Sequence, residues 1–421
     1  MNEAENIVQR MRFVNKSPAM RLIQVVLLAG IFFLSGIGQA AAAKRELPAA
    51  MKELVTNGGF GVSRNGTLLF SHNPDQLFTP ASILKVLISL AAFDRLGPTY
   101  RFTTDFLMNG QNDLFIRGHG DPLLVSEEVA LIMEHLKSQG IPAINRIILD
   151  GSTFALEDPS PKGASDSLNP YDVLNGGLAV NFNTINIQVM EDGSVRSAEP
   201  QTPLLPMMLS VGGKLPRGVH RVNISTVPAR ISELTGQLFR WAQQESAIPG
   251  NGVIQNGVTP DQATLIYRHQ SSRTLTDLVR DLLRYSNNYV ANQLFLTLGM
   301  KEFGPPATWA KARAAMADCI RDLDLDDEIS VIEGSGLAGE NRLSVRGMLA
   351  LLERFRPYAE LLPERDGLLV KSGTLSGVYS YAGYLPDGDS FAIILNQPDN
   401  NRDRLLLLLR KYQTETFPRD P

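Results

Sequence analysis

The chain has 421 residues, 43% of them hydrophobic and 20% charged, with a net charge of −4. That length is enough for two domains, and the composition, without a biased tract, is that of a globular protein with ample core. No basic stripe offers a nucleic-acid surface. The single Cys319 excludes an intrachain disulfide, and five scattered histidines make no HExxH or HxH pattern, so no metal site is expected.

From Met20 the chain reads MRLIQVVLLAGIFFLSGIGQAAAAKREL. An apolar run from Leu22 to Gly38 is followed by Ala40 to Ala43, and Arg10, Arg12, Lys16 and Arg21 precede it. This is the layout of an export signal with a small-residue cleavage site. At about 17 residues the run is short for a spanning helix. Residues 1–43 are therefore a signal peptide, or a signal anchor if cleavage fails, and either way the rest is expected outside the cytoplasm.

PAAMKELVT has helical character, and GFGVSRNGTLLFSHN reads as a hairpin turning at Asn65-Gly66, because both turn residues must accept positive φ. FTPASILKVLISLAAFDRLGP reads as a buried helix, with Pro80 near its start and Gly97-Pro98 at its end. Between about Arg101 and Ile254 the texture changes. Short strand candidates (DLFIRG, INRIILD, NTINIQVM) alternate with amphipathic helices SEEVALIMEHLKSQG and ISELTGQLFRWAQQE, and DPSPKGASDSLNP is a turn-rich surface loop. Helical pattern returns in RTLTDLVRDLLRYSNNYVANQLFLTLG, capped by Thr274 and Asp277, with Leu275, Leu278, Leu282, Tyr285 and Leu294 as its stripe. Within the helical residues KARAAMADCIRDL, Cys319 reads as a small buried hydrophobe. SVRGMLALLERF is a further helix. VKSGTLSGVYSYAGYL and FAIILNQ form a C-terminal strand pair around Pro386-Asp387-Gly388, and RDRLLLLLRKYQTE closes the chain as a helix. One antiparallel sheet flanked by helices, with an α+β module spliced in, is the fold these elements predict.

Three short patterns carry chemistry. In Ser82-Ile83-Leu84-Lys85 a weak hydroxyl nucleophile has a lysine one helical turn away on the same face. Buried among Leu84, Val86 and Leu87, that lysine should lose its proton readily and serve as a base. In Ser286-Asn287-Asn288, residues that disfavour helix interiors interrupt a helical pattern, as a break aimed into a cleft would. In Lys371-Ser372-Gly373-Thr374 a cation, two hydroxyls and a glycine sit on a strand that a substrate backbone could approach closely. Each pattern alone also reads as a capped helix, a helix–helix turn or a solvated strand end. Together, in this order, they form the S-x-x-K, S-x-N and K-[ST]-G set of penicillin-recognising serine enzymes.

With FTPASILKVL, FIRGHGDPLL, ILDGSTF, YSNNYVANQLF, EGSGLAGENRLS and VKSGTLSGVYSYAGYL, the chain resembles the S13 peptidases, D-alanyl-D-alanine carboxypeptidase/endopeptidases of the penicillin-binding protein 4 type. A gap of roughly 200 residues between Ser82 and Ser286 is too wide for a compact class A β-lactamase and suits that family's insertion. The resemblance implies an α+β fold. Residues 44–100 and 259–421 would form a DD-peptidase/β-lactamase-like catalytic domain, with residues 101–258 an inserted α+β domain. It also implies a catalytic set of Ser82 as the acylated nucleophile, Lys85 as base, Ser286 as proton relay, Asn288 holding the substrate amide and Lys371, with Ser372, Gly373 and Thr374 as substrate-binding residues; Lys371 and the Ser372 and Thr374 hydroxyls would bind the terminal carboxylate. The backbone N–H groups of Ser82 and Thr374 would make the oxyanion hole. The implied partners are peptidoglycan stem peptides and β-lactams in the periplasm, with no cofactor and no nucleic acid, and membrane contact only through an uncleaved signal. Ser372 stands where threonine is usual and Glu333 where aspartate is usual. The same trio also permits a β-lactamase or esterase, and a non-catalytic wall-binding relative is the alternative of another class. His119 in RGHGDP is read as part of a turn.

Overall fold

The structure is a computed structural model that describes residues 47–418. The export segment expected between Leu22 and Ala43 lies outside the described residues, and no helix among those described is long and apolar enough to cross a membrane.

Strands β1 (Gly58–Arg64) and β2 (Thr67–His72) form the expected hairpin, with Asn65 and Gly66 at φ of 49° and 77°. A short 3₁₀ turn over Ala81–Leu84 leads into helix α1 (Lys85–Leu96). The chain then builds β3 (Thr103–Met108), β4 (Leu114–Gly118), helix α2 (Ser126–Ser138) and β5 (Ile147–Asp150). It continues through β6 (Thr184–Val189), β7 (Val195–Ser197), α3 (Pro206–Gly212), β8 (Gly218–Asn223), α4 (Ala229–Glu245), β9 (Ile254–Asn256) and β10 (Thr264–Gln270). Helices α5 (Leu275–Tyr285), α6 (Asn288–Phe303) and α7 (Trp309–Asp322) follow, then the short strands β11 (Ile329–Ser330) and β12 (Arg342–Leu343) and helix α8 (Val345–Phe355). Strands β13 (Glu364–Arg365), β14 (Leu368–Leu375), β15 (Val378–Tyr384) and β16 (Ser390–Asn396) precede the last helix, α9 (Arg402–Thr416).

The central sheet is antiparallel, in the order β13-β14-β15-β16-β1-β2, so the N-terminal hairpin pairs with the C-terminal strands through Phe60 and Ile393. VKSGTLSGVYSYAGYL is two strands, turning at Ser376-Gly377, where a single strand was expected. Tyr381, Ala382, Tyr384 and Ile394 bury one apolar surface after another, and α1, α6 and α8 supply Leu87, Phe295 and Met348 to the shared core. Cys319 is buried in that core, as expected. On α5, Leu275, Leu278 and Leu282 are buried, whereas Tyr285 is 68% exposed because the helix stops there.

A second sheet, β10-β3-β4-β5-β9, and a third, β7-β6-β8, lie between residues 103 and 270. They share a separate core with α2 and α4 that includes Ile116, Ile132, Ile187 and Phe239. β4 pairs in parallel with β5, and β5 with β9, each crossover being bridged by a helix. Strand β10 pairs with β3 from beyond residue 258. Asn175 Nδ2 donates to Tyr289 O and to Gln293 Oε1, and Gln293 Nε2 donates to Gly120 O and Gly176 O, which ties this module to α6.

Candidate active site

The turn that carries Ser82 is held in an uncommon conformation. Ala81 has φ +52°, a left-handed geometry that costs a non-glycine residue about 1–3 kcal/mol and persists only where the surroundings enforce it. The enforcement is visible: Ser380 Oγ donates to Pro80 O at 2.6 Å. Gly373 lies so close that a Cβ built on it would stand 2.9 Å from Ser82 N and 2.3 Å from Ser380 Oγ. Strand β14 and the Ser82 turn are therefore pressed together, and only glycine fits between them.

Lys85 is fully buried, and its Nζ has three partners: Ser82 Oγ at 2.9 Å, Asn288 Oδ1 at 2.9 Å and Ser335 O at 2.6 Å. Burial pulls its pKa well below the usual lysine range; the nearby Lys371 charge adds to that, and Glu333 opposes it. A neutral amine has two N–H donors and one lone pair. The Asn288 and Ser335 carbonyls can only accept, so they take both donors, which leaves the lone pair for the Ser82 hydroxyl proton. In that neutral form the geometry would let the Ser82 hydroxyl pass its proton to Lys85.

The helix break at Ser286 is real. Ser286 has φ +55°, and Asn287 caps α6 by accepting from Val290 N at 3.2 Å. The capping box expected at Thr274 and Asp277 opens the preceding helix α5. Placing one helix end and one helix start back to back aims Ser286 and Asn288 at the same point. Lys371, 2% exposed, donates from Nζ to Ser286 Oγ at 2.9 Å and to Ser372 O at 2.8 Å. Burial lowers its pKa to about 8.

The five residues thereby form two hydrogen-bonded groups, Ser82–Lys85–Asn288 and Ser286–Lys371, drawn from three segments distant in sequence and near enough for the Lys371 charge to act on Lys85. Gly373 joins them by packing. Ser372 and Thr374 are exposed and, by the two-residue strand period, face away from Lys371. Thr374 Oγ1 accepts from Arg402 Nη1 at 2.8 Å, as does Gly373 O, and the Arg402 cation lies 4.5 Å from the Tyr381 ring centroid. β13 pairs with Leu368 and Leu369, and Val370 N donates to Pro363 O at 2.8 Å, so among the described residues the outer edge of β14 has no strand partner beyond Val370. A free strand edge beside the nucleophile can hydrogen-bond an extended peptide.

Sequence reasoning gave no role to two contributors, Glu333, noted only as standing where aspartate is usual, and Tyr171. Glu333 is a buried hub that accepts from Asn292 Nδ2, Asn341 Nδ2, Ser335 Oγ and the N–H groups of Ser335, Leu337 and Ala338. It thereby fixes the Ser335 carbonyl that receives a Lys85 proton donor. A carboxylate heading the turn-forming EGSG was the available signal. Tyr171 O accepts from Asn288 Nδ2 at 3.3 Å, and nothing in its loop sequence marks it. His119 Nε2 pairs with Asp105 Oδ2 at 3.0 Å, away from this constellation.

Helices packed on an antiparallel sheet, with a serine–lysine pair at a helix start and a second lysine on the facing strand, define an acyl-transfer serine enzyme of the penicillin-recognising fold. The profile of the family described as "D-Ala-D-Ala carboxypeptidase 3 (S13) family" matches residues 56–205 and 196–363. The chain belongs to this family and is a serine-type D-Ala-D-Ala peptidase. It is 23% identical over 397 residues to the D-alanyl-D-alanine carboxypeptidase DacB of Haemophilus influenzae, covering 78% of this chain and 82% of that one. It is 22% identical over 435 residues to a D-alanyl-D-alanine carboxypeptidase of Actinomadura sp. strain R39, covering 84% and 80%. The crystal structure of penicillin binding protein 4 (dacB) from Haemophilus influenzae shares the fold, with a TM-score of 0.70, 19% identity and coverage of 87% of this chain and 98% of that one.

Proposed function

We propose that Ser82 is the residue acylated in this enzyme, with Lys85 as its base, and that the substrates are peptidoglycan stem peptides and β-lactams. The observation that carries this is the fully buried Lys85 amine, 2.9 Å from Ser82 Oγ with both of its N–H donors engaged elsewhere. Ser82 Oγ attacks the carbonyl of the bond before the terminal D-alanine while its proton passes to Lys85 Nζ. The oxyanion lies between the N–H groups of Ser82 and Thr374, and the closeness of Gly373 to Ser82 supports that assignment. Ser286, bonded to Lys371, relays a proton to the departing amine, and water then releases the acyl group with Lys85 as base.

In this reading the Lys371 ammonium attracts the substrate's terminal carboxylate, and the Asn288 amide holds the peptide. The Ser372–Thr374 stretch contributes its free backbone edge, and the Thr374 hydroxyl acts together with Arg402. The catalytic domain comprises residues 44–100 and 259–421. Residues 101–258 form the inserted domain, whose sheet is completed by Thr264–Gln270. An export segment and wall-directed relatives support action outside the cytoplasm, in the periplasm. Incubation with a fluorescent penicillin should label the protein covalently, and Ser82→Ala should abolish the label. Labelling that survives Ser82→Ala would refute the assignment.

A further inference from the structure

The helices that present Lys85 and Asn288 to the cleft share a second polar feature at their far ends. Lys85 opens α1 and Leu96 closes it; Asn288 opens α6 and Lys301 lies in its last turn. At 1.5 Å rise per residue those ends stand roughly 16 to 20 Å from the cleft. Leu96 and Lys301 line a cavity of about 580 Å³ that Tyr100, Thr297 and, from the inserted module, Arg117 and His119 also line. A volume of that order suits an organic ligand and greatly exceeds what an inorganic anion fills.

The charge of this cavity has one sign. Its lining includes Arg117, His119 and Lys301 and no carboxylate among the described residues. The acids that pair with Arg117 and His119 sit behind them. Arg117 Nε donates to buried Asp150 at 3.2 Å, and His119 pairs with buried Asp105, which Arg268 also grips at 2.6 and 2.8 Å. Lys301 makes no hydrogen bond or ion pair with another described residue. Thr297, one turn before it, is 2% exposed, and its Oγ1 lacks a hydrogen-bond partner among the described residues. A buried hydroxyl without a partner is costly, and because its oxygen exposes almost no surface a ligand group would satisfy it only after a small shift of the cavity wall. The Tyr100 ring and Leu96 supply the apolar side.

We infer that this cavity is a second binding site, for a short acidic peptide whose carboxylates lie against Arg117 and Lys301 and whose stem lies over Tyr100 and Leu96. This deepens the reading above and rests on it only for the source of the peptide, a wall stem peptide bearing free carboxylates. Of the lining residues, Leu96, Thr297 and Lys301 sit on the same two helices as Lys85 and Asn288.

The test uses the full chain carrying Ser82→Ala, titrated calorimetrically with acetyl-Ala-Glu, its diamide and inorganic phosphate. The dipeptide should bind saturably and weaken at least about fivefold in Lys301→Ala and again in Tyr100→Ala, with the diamide about tenfold weaker still. Raising the salt concentration should weaken it too. With Ser82 intact, Lys301→Ala should be acylated by penicillin at the parental rate. No saturable binding, an affinity indifferent to Lys301→Ala, or phosphate binding as tightly as the dipeptide would overturn the inference. Loss of penicillin labelling with dipeptide binding retained would instead remove the catalytic reading and leave this site standing.

Discussion

Lys371 is the cation that the proposed chemistry requires and that burial opposes, so its titration is a sensitive probe. Its pKa of about 8, against an ordinary value of 10.5, comes from desolvation. Burial holds Lys85 well below the ordinary value as well, with the Lys371 charge adding to it. In the proposed reading the productive state has Lys85 neutral and Lys371 charged. For a group titrating near 8, about 90% carries the proton at pH 7 and about 10% at pH 9. The second-order rate constant for penicillin acylation should therefore fall about ninefold across that interval, while its acid limb reports protonation of Lys85. Stopped-flow labelling with a fluorescent penicillin from pH 5 to 10 at fixed ionic strength measures both limbs. Lys371→Arg, which keeps its charge throughout, should lower the rate but flatten the alkaline limb. A parental rate constant that stays level to pH 10, or an alkaline fall retained in Lys371→Arg, refutes the reasoning. The same shift makes a stability statement. Between about 8 and 10.5 the unfolded chain binds more protons at Lys371 than the folded one, so stability rises with pH there, by at most about 3 kcal/mol.

Gly373→Ala puts a methyl group against Ser82 N and Ser380 Oγ and must displace one of them. Acylation should drop by roughly 10²-fold with the melting transition retained, and a loss under about threefold would contradict the packing argument. Asn292→Ala leaves Gly334 N–H without its acceptor and Glu333 short of one donor. A cost of about 2–4 kcal/mol in urea unfolding, together with slower acylation as the Ser335 carbonyl loosens, is expected. Thr274→Ala removes the α5 cap and should cost about 1 kcal/mol without changing the acylation rate of folded protein, a separation that labelling and melting curves test together. Phe295→Ala, at a fully buried position on α6, should cost about 3–5 kcal/mol by the same unfolding measurement.

Much of the site was legible because helix breaks, caps and turns are local. The Asn65-Gly66 hairpin, the Thr274 cap and the interruption at Ser286 each follow from the φ/ψ and hydrogen-bonding needs of one or two residues, and the structure has them where the pattern put them. Period and composition also marked the change of texture after about Arg101, where the elements of the second and third sheets lie. They misread VKSGTLSGVYSYAGYL as one strand, because alternation continues across the tight turn at Ser376-Gly377 and only cross-strand pairing breaks it.

By itself, the sequence determined which chemical groups are present and their order along the chain: a serine with a lysine one turn on, a polar break in a helix, and a lysine on a glycine-bearing strand. The tertiary structure decided what those groups are worth. It buried Lys85 completely and set its amine among two carbonyls from remote segments and the Ser82 hydroxyl. It turned the Ser372 and Thr374 side chains away from Lys371 and brought Glu333 and Tyr171 into supporting positions. The physical reason is that burial and hydrogen-bond satisfaction depend on segments far apart in the chain, and no local pattern records which of them will meet.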